Sequence, residues 1–205
     1  IINAAGYVSL EKCEHNKKRA IKSNTKIVEI ILKSIENTNI KFVYISTDHI
    51  FDKKKGKIKE NEKLFSNNFY SKTKIFAENK IKKSRVNSLT IRSNFFGKGL
   101  PYRDSYTDFI IKNLKKNFLT PIWSNIKFTP VNVEFLVFAI YKLIEIDTNG
   151  IINISSNHEI TKFNFALKIA KSKNLNSKFL VPKKYNSKEE KINRPLNMSL
   201  DNKKF

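Results

Sequence analysis

With 205 residues, 40% of them hydrophobic and 12% aromatic, the chain can bury the core of one ordinary domain or of one domain with a small appendage, which excludes a disordered polymer. A single cysteine, Cys13, excludes an internal disulfide and suits a reducing compartment. The formal net charge of +22 invites a nucleic-acid reading, but the excess is nearly all lysine, spread along the whole chain, so no nucleic acid is expected as partner.

Taken in order, strands and helices alternate. The residues 1–3 read as a strand, and Asn16 to Glu36 as a helix carrying Ala20, Ile21, Ile27, Ile30 and Ile31 on its apolar positions. Lys41 to Ser46 is a strand. The lysine-rich stretch from Asp52 to Lys63 reads as a solvated surface loop. Ser66 or Asn67 would cap a helix running to Lys83, Ser88 to Arg92 would be a strand, and Asp104 to Asn117 a helix. Asn132 to Ile146 is a helix, Ile151 to Ile154 a strand, and Lys162 to Lys173 a helix. This alternation implies parallel βαβ units and an α/β fold. The most apolar stretch, VEFLVFAIYKLIEI, contains Glu134, Lys142 and Glu145, and there is no secretory signal, so a cytoplasmic protein without a membrane partner is expected.

Three strand ends carry polar or small residues: Asn3-Ala4-Ala5-Gly6, Ser46-Thr47-Asp48-His49, and Arg92-Ser93-Asn94. Ligands of open parallel sheets bind there, at the carboxyl ends of the strands. The helix after the second strand places Tyr70 one turn before Lys74 on the same face. A phenol beside an ammonium has its ionised form favoured, which would make Tyr70 usable as a proton donor or acceptor near neutral pH. By itself this spacing is weak in a chain with seven tyrosines and abundant lysine.

The segments INAAGYVSLEKCE, VYISTDHIFD, YSKTKIFAE, IRSNFFG, FTPVNVEFL, GIINIS and RPLNMSLDNKKF occur in an order that resembles dTDP-4-dehydrorhamnose reductases and related sugar-nucleotide reductases of the extended short-chain dehydrogenase/reductase group. The resemblance spans essentially the whole chain. It implies a Rossmann-like parallel sheet flanked by helices, over residues 1–97 and 131–155, with a small mixed substrate-binding lobe at 98–130 and 156–205. It implies NADPH or NADH as cofactor and a nucleotide-activated 4-keto-6-deoxy sugar as substrate, with a homodimer left open.

Residue by residue, the resemblance makes Thr47, Tyr70 and Lys74 the catalytic set. Lys74 would also bind the nicotinamide ribose, helped by Asn24, and Asn3, Ala4, Ala5 and Gly6 would line the cofactor with their backbone. Asp48, His49, Asn94, Phe95, Thr129 and Arg194 would face the substrate, and Arg103, Lys127 and Arg194 would offset its diphosphate. His49 stands where a tyrosine is common, so substrate contact and plain loop residue are both open. Related dehydratases carry Thr-Asp-Glu where this chain has Thr47-Asp48-His49, which disfavours elimination of water. An epimerase, or a catalytically idle dinucleotide-binding regulatory subunit, remains as an alternative. No Cys/His cluster has zinc-ligand spacing and no carboxylate set suggests magnesium. None of the five glycines forms a Gly-x-x-Gly-x-x-Gly turn. The chain thus reads as beginning at the fourth strand of the family's sheet, and by itself it is expected neither to hold the dinucleotide tightly nor to turn over.

Overall fold

The computed structural model describes residues 1–51, 56–66 and 68–205. In chain order its elements are β1 (Ile2–Asn3), α1 (Leu10–His15), α2 (Lys17–Ile21), a π-helical turn (Lys22–Lys26), α3 (Ile27–Ile35), β2 (Phe42–Ile45), α4 (Phe69–Lys83), β3 (Ser88–Arg92) and β4 (Phe95–Phe96). There follow α5 (Tyr106–Lys115), β5 (Thr120–Trp123), β6 (Lys127–Phe128), β7 (Val131–Asn132), α6 (Val133–Glu145), β8 (Gly150–Asn153), β9 (Ile160–Thr161), α7 (Lys162–Ser172) and β10 (Leu180–Lys183).

A four-stranded parallel sheet, ordered β1-β2-β3-β8, forms the centre. Val43 lies opposite Ile2 on one side and opposite Leu89 on the other, and Leu89 lies opposite Gly150. Successive side chains point to opposite faces, and both faces are covered. Phe42 and Tyr44 pack with Val28, Leu32 and Ile35 of α3 and Ala77 and Ile81 of α4. Val43, Leu89, Ile91 and Ile152 pack on the other face against Leu136, Ala139, Ile140 and Leu143 of α6. This is an α/β fold of Rossmann-like type.

A second core has its own residues: Ile110 and Leu114 of α5, Ile122 of β5, Phe128 of β6, Phe165, Ala166 and Ile169 of α7, Leu180 of β10, and Met198. There β10 runs parallel to β5, and β6 pairs antiparallel with β9. A capping box starts α5, with the Ser105 hydroxyl accepting from the Asp108 amide and the Asp108 carboxylate accepting from the Ser105 amide. Ile50, Phe51, Ile58 and Leu200 form a further small buried cluster.

The structure departs from the sequence reading in three places. The expected helix from Asn16 to Glu36 begins earlier, at Leu10 under a Ser9 cap, breaks at Asn16, and carries the π turn before α3. The cap of α4 is Asn68, whose side chain accepts from the Ser71 amide; of the two expected caps, Asn67 lies outside the described residues. The expected solvated loop is only partly one. Asp52 to Lys55 lie outside the described residues, but Ile58 is fully buried and bridges Leu200, and the Glu60 carbonyl accepts from Arg92. The lysine count hid that one isoleucine is anchored in the core.

Candidate active site

The carboxyl end of β2 is held by a buried ion pair. Glu78 of α4 accepts from Arg92 of β3 at 2.7, 3.1 and 3.2 Å, and from the Ser46 hydroxyl at 2.5 Å. Arg92 and Glu78 are 1% and 4% exposed, so each carries a desolvation cost that the other offsets. Ser46 is thereby fixed, and the three residues after it turn into a closed cluster. The His49 amide donates to the Thr47 hydroxyl at 3.2 Å, the Thr47 hydroxyl faces Asp48 at 3.4 Å, and Asn94 donates to the other Asp48 oxygen at 2.7 Å. Ser71 of α4 closes the loop by donating to the His49 carbonyl at 2.7 Å.

Tyr70 stands in the first turn of α4 and enters the same cluster. Its ring meets His49 edge-on at 6.2 Å between centroids and packs with Leu10, Cys13 and Ala20. Thr47 is close enough for its hydroxyl to favour the ionised phenol. Burial outweighs this and pushes the phenol well up, with Asp48 adding in the same direction and Thr47 and Arg103 opposing. Lys74 stands one turn further along α4. Its ammonium donates to the Ile45 carbonyl at 2.7 Å and lies 4.2 Å from the centre of the Tyr44 ring. The expectation of an acidified Tyr70 is not met in the free protein: burial raises the phenol, while the Lys74 ammonium is engaged by the Ile45 carbonyl and the Tyr44 ring. Burial lowers Lys74 itself to about 8, with Glu78 opposing.

The neighbours of Tyr70 are strongly perturbed as well. Burial raises Asp48 to about 6 against the pull of Lys162 and Asn94. His49 is lowered to about 3, first by burial and then by Lys162 and Arg194, so its imidazole is neutral at physiological pH. Its Nδ1 is buried without a hydrogen-bond partner. Lys162, absent from the residues singled out by sequence, is thus part of the cluster. Only its position at the start of a helix marked it in the sequence, and nothing there placed that helix over β2.

The other expected site residues have partners of their own in the free protein. Asn24 accepts from the Tyr7 amide at 2.7 Å and donates to the Tyr7 carbonyl and to the Thr73 hydroxyl, so its direct bonds bypass Lys74. A Cβ on Gly6 would meet Asn24 Oδ1 at 3.2 Å, a tight approach that Asn24 would have to relieve by shifting a few tenths of an ångström. The Thr129 hydroxyl accepts from the Leu200 amide at 3.0 Å, which ties the carboxyl-terminal segment down rather than joining the Tyr70 cluster. Arg194 is ion-paired with Glu11, and Lys127 with Glu159 at 2.6 Å. Phe95 leaves half its surface open next to Asn94.

The residues beside β1 are the ones that could hold a cofactor. Asn3 Nδ2 is buried without a partner at the strand end, while Ala4, Ala5 and Gly6 are exposed. Ala5, Gly6, Tyr7, Arg19, Lys22 and Lys26 line a groove of about 450 Å³. One ammonium hydrogen of Lys74 is engaged by Ile45, leaving two donors.

The profile of the RmlD substrate binding domain matches residues 1–205. The chain belongs to that family. Among curated proteins it is similar to the "Probable low-salt glycan biosynthesis reductase Agl14" of Haloferax volcanii, at 21% identity over 173 residues covering 82% of this chain and 58% of that protein. The chain therefore spans less than two thirds of that relative's length. Among solved structures it is similar to a hypothetical dTDP-4-dehydrorhamnose reductase from Sulfolobus tokodaii, with 29% identity and a TM-score of 0.87, covering all of this chain and 71% of that one. A dTDP-4-dehydrorhamnose reductase from Bacillus anthracis in complex with NADP superposes with a TM-score of 0.90 at 22% identity, over 100% of this chain and 72% of that one, which speaks for the fold. Among the described residues no helix is long and apolar enough to cross a membrane.

Proposed function

We propose that these residues carry the catalytic and substrate-binding side of an NAD(P)H-dependent reductase acting on the keto group of a nucleotide-activated 4-keto-6-deoxy sugar. The observation that carries the reading is the meeting of Thr47 and Tyr70 in one closed cluster at the end of β2, with Lys74 one turn away and its ammonium on the last carbonyl of that strand. The bound nicotinamide would supply the hydride. Tyr70 would donate its phenolic proton to the carbonyl oxygen, and Thr47 would hydrogen-bond that oxygen and orient it. Burial keeps the Tyr70 phenol protonated in the free protein, so it carries the proton that reduction of a carbonyl needs. The neutral His49, in the place where elimination would need a carboxylate, supports reduction over dehydration. The smaller core, built from residues 98–130 and 156–205, would grip the nucleotide sugar over the strand ends, and the larger body would hold the cofactor.

The test is Tyr70→Phe in the full-length gene product, supplied with NADPH and a panel of 4-keto nucleotide sugars while the absorbance of the reduced cofactor is followed. Turnover should fall by about 10²–10⁴-fold with cofactor affinity nearly unchanged. Undiminished turnover would remove Tyr70 from the mechanism.

A further inference from the structure

We propose that Lys162 is the principal cation for the substrate's diphosphate, a specificity residue that reaches from the smaller core to the carboxyl end of β2. The inference rests on the nucleotide-sugar reading above and adds the residue that would anchor the phosphates.

Lys162 opens α7, its amide donating to the Ile126 carbonyl at 2.9 Å. Its ammonium lies 3.5 Å from the centre of the Phe128 ring and 5.1 Å from that of Tyr106. Two aromatic faces therefore hold the charge in place. From there it is the strongest charge acting on both Asp48 and His49, the residues that follow Thr47. The candidate cations differ in their partners. Lys127 has Glu159, Arg194 has Glu11 and Arg103 lies exposed, whereas the Lys162 ammonium is held against two rings and among the described residues meets no carboxylate and no hydrogen-bond acceptor. Asp48, the nearest acid, already receives Asn94 and faces Thr47. A half-buried ammonium with three unmatched donors is unfavourable in the free protein, and an entering phosphate oxygen relieves it. His49, on which the Lys162 charge also acts, likewise has a buried Nδ1 without a hydrogen-bond partner. Burial and the Arg194 charge hold Lys162 at about 8, with Asp48 opposing, so its ammonium is the dominant form only below that pH.

Titration calorimetry on the full-length gene product tests this, with a nucleoside diphosphate, inorganic pyrophosphate and the uncharged nucleoside as probes. Lys162→Met should weaken nucleoside diphosphate and pyrophosphate by about tenfold or more and leave the nucleoside unchanged, while Lys162→Arg keeps affinity within a few-fold. Wild-type affinity for the diphosphate should fall as pH rises through 8, and that of Lys162→Arg should not; the groups facing this ammonium are Asp48, His49, Arg194 and Tyr106. The free Lys162→Met protein should melt at the same or a higher temperature, because methionine fills the space over Phe128 without an unmatched charge. A lysine kept only for its ring contacts would instead give a lower melting temperature with diphosphate affinity intact, which overturns the proposal. If the wild type binds the nucleoside diphosphate no better than the nucleoside, the nucleotide-sugar reading fails together with it. Equal diphosphate affinity in wild type and Lys162→Met removes Lys162 alone.

Discussion

Arg92 sits under the site as a full positive charge at 1% exposure, and the arrangement above it depends on Glu78 being there. The pair fixes Ser46, and Ser46 fixes where Thr47, Asp48 and His49 begin. Removing one partner leaves a buried charge uncompensated, so Arg92→Met should lower stability by about 3–5 kcal/mol in urea unfolding. Exchanging both partners, Arg92→Met with Glu78→Met, should recover most of that loss, since a well-packed apolar pair is often as stable as the ions. A double variant as unstable as the sum of the singles would show that the ion pair is needed for packing as such. Arg92 was legible in the sequence as a polar strand end, but its partner on α4 was not. Strand periodicity tells which residues are inside, not which charge meets them.

Among the elements, the break in the first helix says most about how local pattern and fold differ. Apolar positions from Asn16 to Glu36 suit a continuous helix, and most of that span is helical. Yet Asn16 caps α2 with its own side chain, and the chain widens into a π turn that carries Asn24 inward. There Asn24 meets both polar groups of Tyr7 and the hydroxyl of Thr73, one on the β1 loop and the other on α4. The turn exists because three segments distant in sequence share one amide. Asn24→Ala should cost about 1–3 kcal/mol, since it orphans buried backbone groups. The Tyr7 amide should then exchange with deuterium markedly faster than in the wild type. Unchanged protection at Tyr7 would mean that another group satisfies it, and that the π turn has a different cause.

At the scale of the whole molecule, a small apolar cluster apart from the two larger cores ties the segment after β2 to the carboxyl-terminal segment, with Ile58 and Leu200 paired as a parallel bridge. Polar ties surround it: Thr129 holds the Leu200 amide, and Asn153 donates to the Ile58 and Asp201 carbonyls at 2.9 and 3.1 Å. Leu200→Ala should destabilise by about 2–5 kcal/mol through lost burial and a cavity. The single tryptophan, Trp123, reports on the smaller core. In the wild type its fluorescence transition should coincide with the loss of far-ultraviolet dichroism, and in Leu200→Ala the two should separate. Coincident transitions in the variant would show that the cores are coupled by something other than this cluster.

Sequence by itself determined the βαβ order, the strand ends that bear polar residues, and the placement of Tyr70 and Lys74 on one helix, because each of these depends on local periodicity and on residue type. Tertiary structure alone decided the rest. It sent the Lys74 ammonium to Ile45 and Tyr44, gave Thr129 and Asn24 to backbone groups, and buried Ile58 inside a lysine-rich stretch. It also carried Lys162 from a distant helix to the end of β2. The reason is physical: the protonation state and partner of a side chain are set by desolvation and by charges a few ångströms away, and those neighbours come from parts of the chain that no local spacing connects.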